Sequence, residues 1–187
     1  MATVNEANKK SGGSTLRIIV IVVLLMAFSG GAVYFYANTI VEWWLPTAIS
    51  VAGALILWVP VKKMWARGWP DGAVVLRLLV HLVIFTALIE CSLLAANSIG
   101  VDTSATVEMS AQVVRKYEQK QYRSRRLGTR RYIKGEPYYT YHIELLLPDQ
   151  RRKTLTLSRE HYNRVAQNRP YPLTIAPGLL GWPVIMR

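Results

Sequence analysis

Two side chains able to exchange protons lie in an otherwise apolar stretch. Glu90 and His81 both fall within residues 73–98, a run of mostly aliphatic residues. An ionised carboxylate inside a membrane is costly, so Glu90 should be neutral, paired or in contact with water. At about 100° per residue the two side chains lie on opposite faces of one helix and cannot pair with each other. Each therefore needs a partner on another helix, on another protomer or in lipid.

The chemistry of Glu90 allows two interpretations. In the first, Glu90 and His81 line a proton or ion path, or form a polar contact that specifies assembly. In the second, which we favour, a protonated Glu90 hydrogen-bonds to a neighbouring helix and holds the helices together. Arg77 lies close enough to the end of the same run for its charge to reach the headgroup level, and it is assigned no function.

A basic segment at residues 115–134 is the second candidate, with nine basic residues, one acidic residue and three tyrosines. Arginine holds phosphate or carboxylate oxygens in a fork, and aromatic rings stack or pack beside such ligands. The candidate binding residues are Arg115, Lys116, Lys120, Arg123, Arg125, Arg126, Arg130, Arg131 and Lys134. The competing interpretation is a solvated loop, or a protruding hairpin turning at Leu127 and Gly128, whose charge serves solubility.

Several kinds of chemistry are disfavoured by what the sequence lacks. Its 187 residues include 1 cysteine and 3 histidines, so we expect no intramolecular disulfide, no metal site and no other cofactor. The sequence contains no glycine-rich phosphate loop, no His-Glu-x-x-His and no Gly-x-Ser-x-Gly. The few carboxylates outside the apolar runs show no paired arrangement with a candidate nucleophile. We therefore expect a protein that is not an enzyme.

Three apolar runs position the proton-exchanging residues. They cover residues 18–37, 43–61 and 73–98, in a chain that is 51% hydrophobic and only 18% charged. Each is long enough to cross a hydrocarbon core of ~30 Å as a helix. The first is too long for a cleaved signal peptide. In the second, Pro46 stands in the first turn and Pro60 at the end. We predict a membrane region at residues 16–99 with three transmembrane helices, preceded by a flexible cytoplasmic tail at residues 1–15.

The distribution of charge predicts the orientation of these helices. Six basic residues flank one side of the runs, namely Lys9, Lys10, Arg17, Lys62, Lys63 and Arg67. The opposite side has none at residues 38–44 or 99–114. Since cytoplasmic loops are enriched in lysine and arginine, we expect a cytoplasmic N-terminus in a bacterial-type inner membrane. Residues 100–187 are then extracytoplasmic, because long domains translocate largely regardless of their charge.

Residues 100–187 have a different pattern, typical of strands. Apolar and polar residues alternate at residues 106–113 and 138–147, and again around Leu155 and Leu157 after a Pro148-Asp149 turn. Ser158 is placed to cap a short helix reaching Ala166. Further strands are expected at residues 171–175 and 182–185. The fold class predicted is an α-helical membrane anchor plus a small β-rich α+β C-terminal domain, with a curved sheet or a partly open barrel.

These features predict an integral membrane protein that is not an enzyme and that acts as a binding or assembly subunit. Its basic domain would face a partner, which is either a protein or an anionic component of the envelope. Membrane lipid would surround the helices. Pairs of small residues four apart, such as Ala27 and Gly31, allow a homo-oligomer. One alternative is an oligomeric subunit that conducts ions or protons through Glu90. Another is a membrane-tethered nucleic-acid binder, which requires the opposite topology; under the predicted topology nucleic acid is not expected as a partner.

Overall fold

The computed structural model describes residues 2–66, 72–127 and 131–186. They fall into two compact units, which are described separately. The helical unit comprises Met1–Thr103 together with Pro177–Val184, and the strand unit comprises Ser104–Ala176 together with Ile185–Arg187. The predicted combination of long apolar helices with a β-rich region is confirmed.

The helical unit contains α1 (Ala2–Asn38), α2 (Trp44–Ala66) and α3 (Val74–Ile99). All three are long and apolar enough to cross a membrane, with mean hydropathies of 2.6, 1.8 and 2.3 over their candidate spans. Large apolar side chains also lie on their outer surfaces; Met26, Val33 and Ile56 are each 70% exposed or more. An apolar surface of this extent is typical of helices that contact lipid rather than water.

Two helix boundaries differ from the sequence prediction. The helix α1 begins at Ala2, so residues 2–15, expected to be a flexible tail, are helical. Each residue added to an existing helix gains one hydrogen bond, and an apolar helix can therefore extend into polar sequence. Pro60, expected to end the second helix, lies inside α2, which continues to Ala66. Proline removes one backbone hydrogen bond, a loss that apolar helices packed on neighbours tolerate.

The helix α3 packs against both α1 and α2. Small residues allow these contacts: Ser50 and Ala54 of α2 are fully buried, and a Cβ on Gly31 of α1 would lie 2.8 Å from the Cys91 sulfur. Near the end of α3, the buried side chains of Ala32, Val41 and Leu94 form a small core that is covered by neighbours including Trp182. Close backbone approach of this kind is how helices associate without a hydrophobic driving force between them.

Residues 177–184 return to the helical unit, which the predicted boundary at residue 100 did not anticipate. Asn97 is fully buried, and its amide donates to the Trp182 carbonyl at 3.0 Å while its Oδ1 accepts from the Leu180 N–H at 3.0 Å. Beside it, Thr39 and Val184 form an antiparallel bridge. The buried asparagine thus satisfies its polar groups by fixing the returning chain.

The strand unit has one open antiparallel sheet in the order β3-β2-β1-β4-β5. Its strands are β1 (Val107–Leu127), β2 (Arg131–Leu146), β3 (Arg152–Leu157), β4 (Pro170–Pro177) and β5 (Pro183–Met186), and α4 (Arg159–Arg164) follows β3. An open sheet replaces the partly open barrel that the sequence left possible. The Ser158 hydroxyl accepts from the His161 N–H at 3.3 Å, which confirms the predicted cap, although α4 ends before Ala166.

The core of the strand unit lies on one face of the sheet. Val113, Ile143, Leu145, Leu155 and Leu173 are 3% exposed or less, in agreement with the alternation in the sequence. A charged residue, Lys153, shares this face on the edge strand β3, where it is paired with Leu145. An inward-pointing charge on an edge strand discourages a further strand from adding to the sheet.

The buried ammonium of Lys153 should make the stability of the fold depend on pH. Burial, with a smaller effect from Arg151, lowers the pKa of Lys153 from 10.5 to about 8. Between these pH values the unfolded chain holds a proton that the folded chain lacks, so stability rises with pH across the window. We expect Lys153→Met to stabilise the protein at pH 7 by on the order of 2 kcal/mol, and this gain to shrink towards pH 10.5.

Thermal unfolding of the full chain in detergent between pH 7 and 10.5 measures this effect. The exposed Lys134 of the same sheet provides the control Lys134→Met, for which no gain at pH 7 is expected. A difference between Lys153→Met and the unmodified protein that does not change with pH would contradict the burial argument.

Candidate functional site

The basic segment forms the outer part of a long antiparallel hairpin in the strand unit. Its pairing runs from Arg115 opposite Glu144 to Leu127 opposite Arg131. We call residues 115–127 and 131–144 the basic arm. The competing interpretation of this segment allowed either a solvated loop or a protruding hairpin, and the structure has a hairpin. Residues 128–130, including Gly128 of the expected turn and Arg130, lie outside the described residues, and so does the side chain of Arg126.

Two irregularities shape the basic arm. The register shifts between Val113 and Arg115, where β1 has one extra residue, and again near Gly135, where β2 has one extra. A Cβ on Gly135 would lie 2.7 Å from the carbonyl oxygen of Arg123, so only glycine fits there without a shift of backbone. Bulges increase the local twist and redirect side chains, and they also interrupt the regular ladder. In the distal arm, the described side chains at residues 119–125 and 131–139 are mostly exposed on both faces.

One face of the basic arm places a tyrosine between two ammonium groups. The nitrogens of Lys120 and Lys134 lie 5.5 and 5.3 Å from the centre of the Tyr122 ring. A side-chain hydrogen bond with Tyr122, together with smaller electrostatic contributions from Tyr122 and Tyr139, raises the pKa of Lys120 above its ordinary value. Contacts of this type restrict long flexible side chains while leaving the charge accessible.

The other face repeats the arrangement with arginine. The Arg123 guanidinium lies 5.8 Å from the Tyr138 ring centre, and Arg115 lies 5.3 Å from that of Tyr117. Tyr117 in turn stacks on His142 with ring centres 5.1 Å apart. Arg125 and Arg131 are exposed further along the arm. Tyrosine rings thus lie beside cations on both faces.

The charges of the basic arm are not neutralised within the described part of the strand unit. The ion pairs there join Arg151 to Asp149 and Arg152 to Glu144, and neither uses a cation of the arm. Uncompensated charge on an exposed ribbon generates a positive potential that attracts anionic surfaces. It has little value for folding, because surface charges contribute little to stability.

Lys116 differs from the other basic residues. Its ammonium donates to the carbonyl oxygens of Tyr162 at 2.8 Å and of Val165, and it lies 4.4 Å from the Tyr162 ring centre. A cation at the last carbonyls of a helix satisfies acceptors that the helix leaves open. Lys116 therefore fixes the end of α4 against the sheet, whereas the sequence had placed it on the binding surface.

His81 is fully buried between α2 and α3. Its Nδ1 accepts from the Trp65 indole at 3.1 Å, and its Nε2 lies 2.8 Å from the Ala54 carbonyl, to which it donates. The ring also stacks on Phe85, with centres 4.2 Å apart. With a donor on Nδ1 and an acceptor on Nε2, the imidazole is the neutral Nε2–H tautomer. The predicted partner on another helix is thus supplied by α2.

Glu90 also contacts α2, through Thr47. The Thr47 hydroxyl lies 3.0 Å from Glu90 Oε1 and 3.0 Å from the Trp43 carbonyl oxygen. The Thr47 hydroxyl donates to Glu90, so the carboxyl accepts a hydrogen bond from α2. The carboxyl borders a mostly apolar cavity of about 560 Å³ that reaches α1. This geometry favours the interpretation of Glu90 as a contact between helices.

Sequence reasoning missed two polar residues of α3. Asn97 was not singled out, although a buried asparagine in an apolar helix signals a hydrogen-bonded contact. Arg77 was given no function, yet it is only 8% exposed. Within the described residues, no group of three or more histidine, cysteine, aspartate or glutamate side chains is suited to a metal ion.

Comparison with protein families, with curated protein sequences and with solved structures finds no match to this chain. The functional argument therefore rests on the geometry of the chain itself.

The hydrogen bond of Glu90 predicts which substitutions the helices tolerate. The amide oxygen of glutamine can accept from the Thr47 hydroxyl as the Glu90 carboxyl does, whereas leucine cannot. We expect Glu90→Gln to leave the thermal unfolding midpoint in detergent nearly unchanged, and Glu90→Leu to cost about 1 kcal/mol. Thr47→Val should cost a similar amount and add little to Glu90→Leu, because the two substitutions remove the same contact. A loss in Glu90→Gln as large as that in Glu90→Leu would show that the carboxyl itself is needed.

Proposed function

We propose that this protein is a non-enzymatic binding or assembly subunit of a membrane, which presents the basic arm to an acidic partner. The observation that carries the proposal is the set of exposed arm cations held beside tyrosine rings and not neutralised by carboxylates of the described strand unit. Folding alone does not account for this arrangement, whereas electrostatic recognition requires accessible charge in a defined geometry.

The helical unit supports the anchoring part of the proposal. Three helices of sufficient length and hydropathy, with large apolar side chains on their outer surfaces, fit an environment of lipid. The excess of lysine and arginine at residues 9–17 and 62–67 favours a cytoplasmic N-terminus in a bacterial-type inner membrane. The basic arm then lies outside the cytoplasm, where its partner is an acidic protein surface or an anionic envelope polymer. Opposite insertion would instead expose the arm to nucleic acid.

The conducting alternative receives less support from the geometry. Both ring nitrogens of His81 are occupied by Trp65 and Ala54, and the bonding of Glu90 to Thr47 is explained by helix packing. A proton path requires groups that can exchange partners, whereas these contacts are of the kind that hold helices together. We therefore place binding by the basic arm first.

Removing charge from the basic arm tests the proposal directly. We expect the triple variant Arg123→Gln, Arg125→Gln and Arg131→Gln to weaken binding of the detergent-solubilised protein to a polyglutamate peptide by about tenfold or more, because recognition by exposed charges depends on their number. The residual binding should also depend less on salt. Fluorescence anisotropy of a labelled peptide, measured over a range of ionic strength, gives both quantities.

A matched control separates the arm from the general positive charge of the protein. Arg159, Arg164 and Arg169 are exposed in the same strand unit and outside the arm. Their change to glutamine removes the same charge and should alter peptide binding by less than about twofold. Equal losses in the two triple variants would contradict a specific contact through the arm.

A further inference from the structure

The cavity beside Glu90 has the size of a ligand site. Its volume of about 560 Å³ falls within the range of ~300–1,000 Å³ that such sites occupy. Residues of α1, of the first turns of α2 and of the middle of α3 line it, and most of them are aliphatic, with Leu25, Leu82 and Val83 among them. Walls of this kind favour a ligand with a large apolar part, because its burial is favourable.

Glu90 gives this apolar cavity one acidic group. Among the described residues that line the cavity, no lysine, arginine or histidine accompanies it. Its Oε1 accepts from Thr47, and within the described part of the chain Oε2 has no hydrogen-bond partner. An ionised carboxylate in apolar surroundings is costly unless a cation lies beside it. The free oxygen therefore offers a place for a positively charged group.

The sequence around Glu90 supplies no cation of its own in the helical unit. Residues 18–61, 82–103 and 177–184 contain three carboxylates and no lysine, arginine or histidine. The preceding basic residue of α3, His81, lies about 13 Å away along the helix axis at 1.5 Å per residue. Both of its ring nitrogens are occupied by Trp65 and Ala54. This end of the helical unit is therefore suited to a cation that a ligand brings.

The other polar and aromatic residues on the walls favour an ammonium group. Tyr36 and Trp43 line the cavity, and aromatic rings attract organic cations through their faces. The hydroxyls of Ser29 and Thr86 also lie on the walls and can accept hydrogen bonds. We propose that this cavity binds an amphiphilic organic cation, whose primary ammonium pairs with Glu90 while its apolar chain lies along the aliphatic walls. The site belongs to the helical unit and does not depend on the basic arm.

Ligand titration of the full-length protein in an uncharged detergent tests the site. Dodecylamine carries a primary ammonium on an aliphatic chain, and dodecanol has the same chain without the charge. At neutral pH we expect dodecylamine to raise the thermal unfolding midpoint, because a ligand that binds the folded state stabilises it. Dodecanol at the same concentration should have little effect. No rise with dodecylamine, or an equal rise with dodecanol, would overturn the proposal.

Two matched variants determine whether Glu90 holds the ammonium. Glu90→Gln keeps an acceptor for Thr47 and is expected to fold, but it should need about tenfold more dodecylamine for the same rise, because a charge-assisted contact is lost. Glu42 is exposed in the same helical unit and does not line the cavity. Glu42→Gln removes the same charge and should change the response by less than about twofold. Equal losses in the two variants would overturn the cavity in favour of general negative charge.

A second pair of variants tests the cavity while leaving Glu90 in place. Val83 lines the cavity and is 53% exposed, whereas Val75 of the same helix is 71% exposed and lies outside the lining. Val83→Trp should weaken the response to dodecylamine by about fivefold, because the indole takes up volume that the ligand needs. Val75→Trp should leave it within about twofold. A mass of two chains in detergent that Val83→Trp reduces to one, without a response to dodecylamine, would overturn the ligand in favour of a second copy of the chain.

Discussion

Polar groups buried between apolar helices need partners within the helical unit, because apolar surroundings offer none. Three polar side chains of α3 bond to other segments of the helical unit, two of them to α2 and one to the returning chain. His81 bonds to Ala54 and Trp65, Glu90 to Thr47, and Asn97 to the chain returning at residues 177–184. The relative placement of the segments in the helical unit depends on these bonds, since apolar contacts between helices specify position less strictly.

In the strand unit, the residues that stabilise the fold differ from those proposed for recognition. Apolar residues on one face of the sheet supply the core, and Lys116 secures α4 to that sheet. The distal part of the arm beyond them has both faces exposed and contributes little burial. Its cations are arranged by tyrosine rings rather than by carboxylates. A surface of that kind is positioned by the fold without being needed for it, which is the reason for proposing that it binds a partner.

Local patterns predicted most elements of the fold. The lengths of the apolar runs predicted α1, α2 and α3, and alternation of apolar and polar residues predicted β3, β4 and the inner parts of β1 and β2. The outer parts of β1 and β2 carry no such alternation, and the sequence left a loop or a hairpin open there. The sheet order, the bulges near Val113 and Gly135, and the contact of Asn97 with Trp182 could not be predicted, because they depend on residues distant in sequence. For the site, charge alone identified the basic segment. It did not separate Lys116, whose carbonyl partners belong to α4, from the exposed cations.

The side of the membrane on which the basic arm lies tests the central claim most directly. In a Cys91→Ala background, Lys120→Cys introduces one thiol on the arm, and Lys10→Cys introduces one near the N-terminus. The account predicts that a membrane-impermeant maleimide labels Lys120→Cys in intact cells, and labels Lys10→Cys only after permeabilisation. Labelling of Lys120→Cys only after permeabilisation, with Lys10→Cys labelled beforehand, would contradict the orientation and direct the search to partners in the cytoplasm.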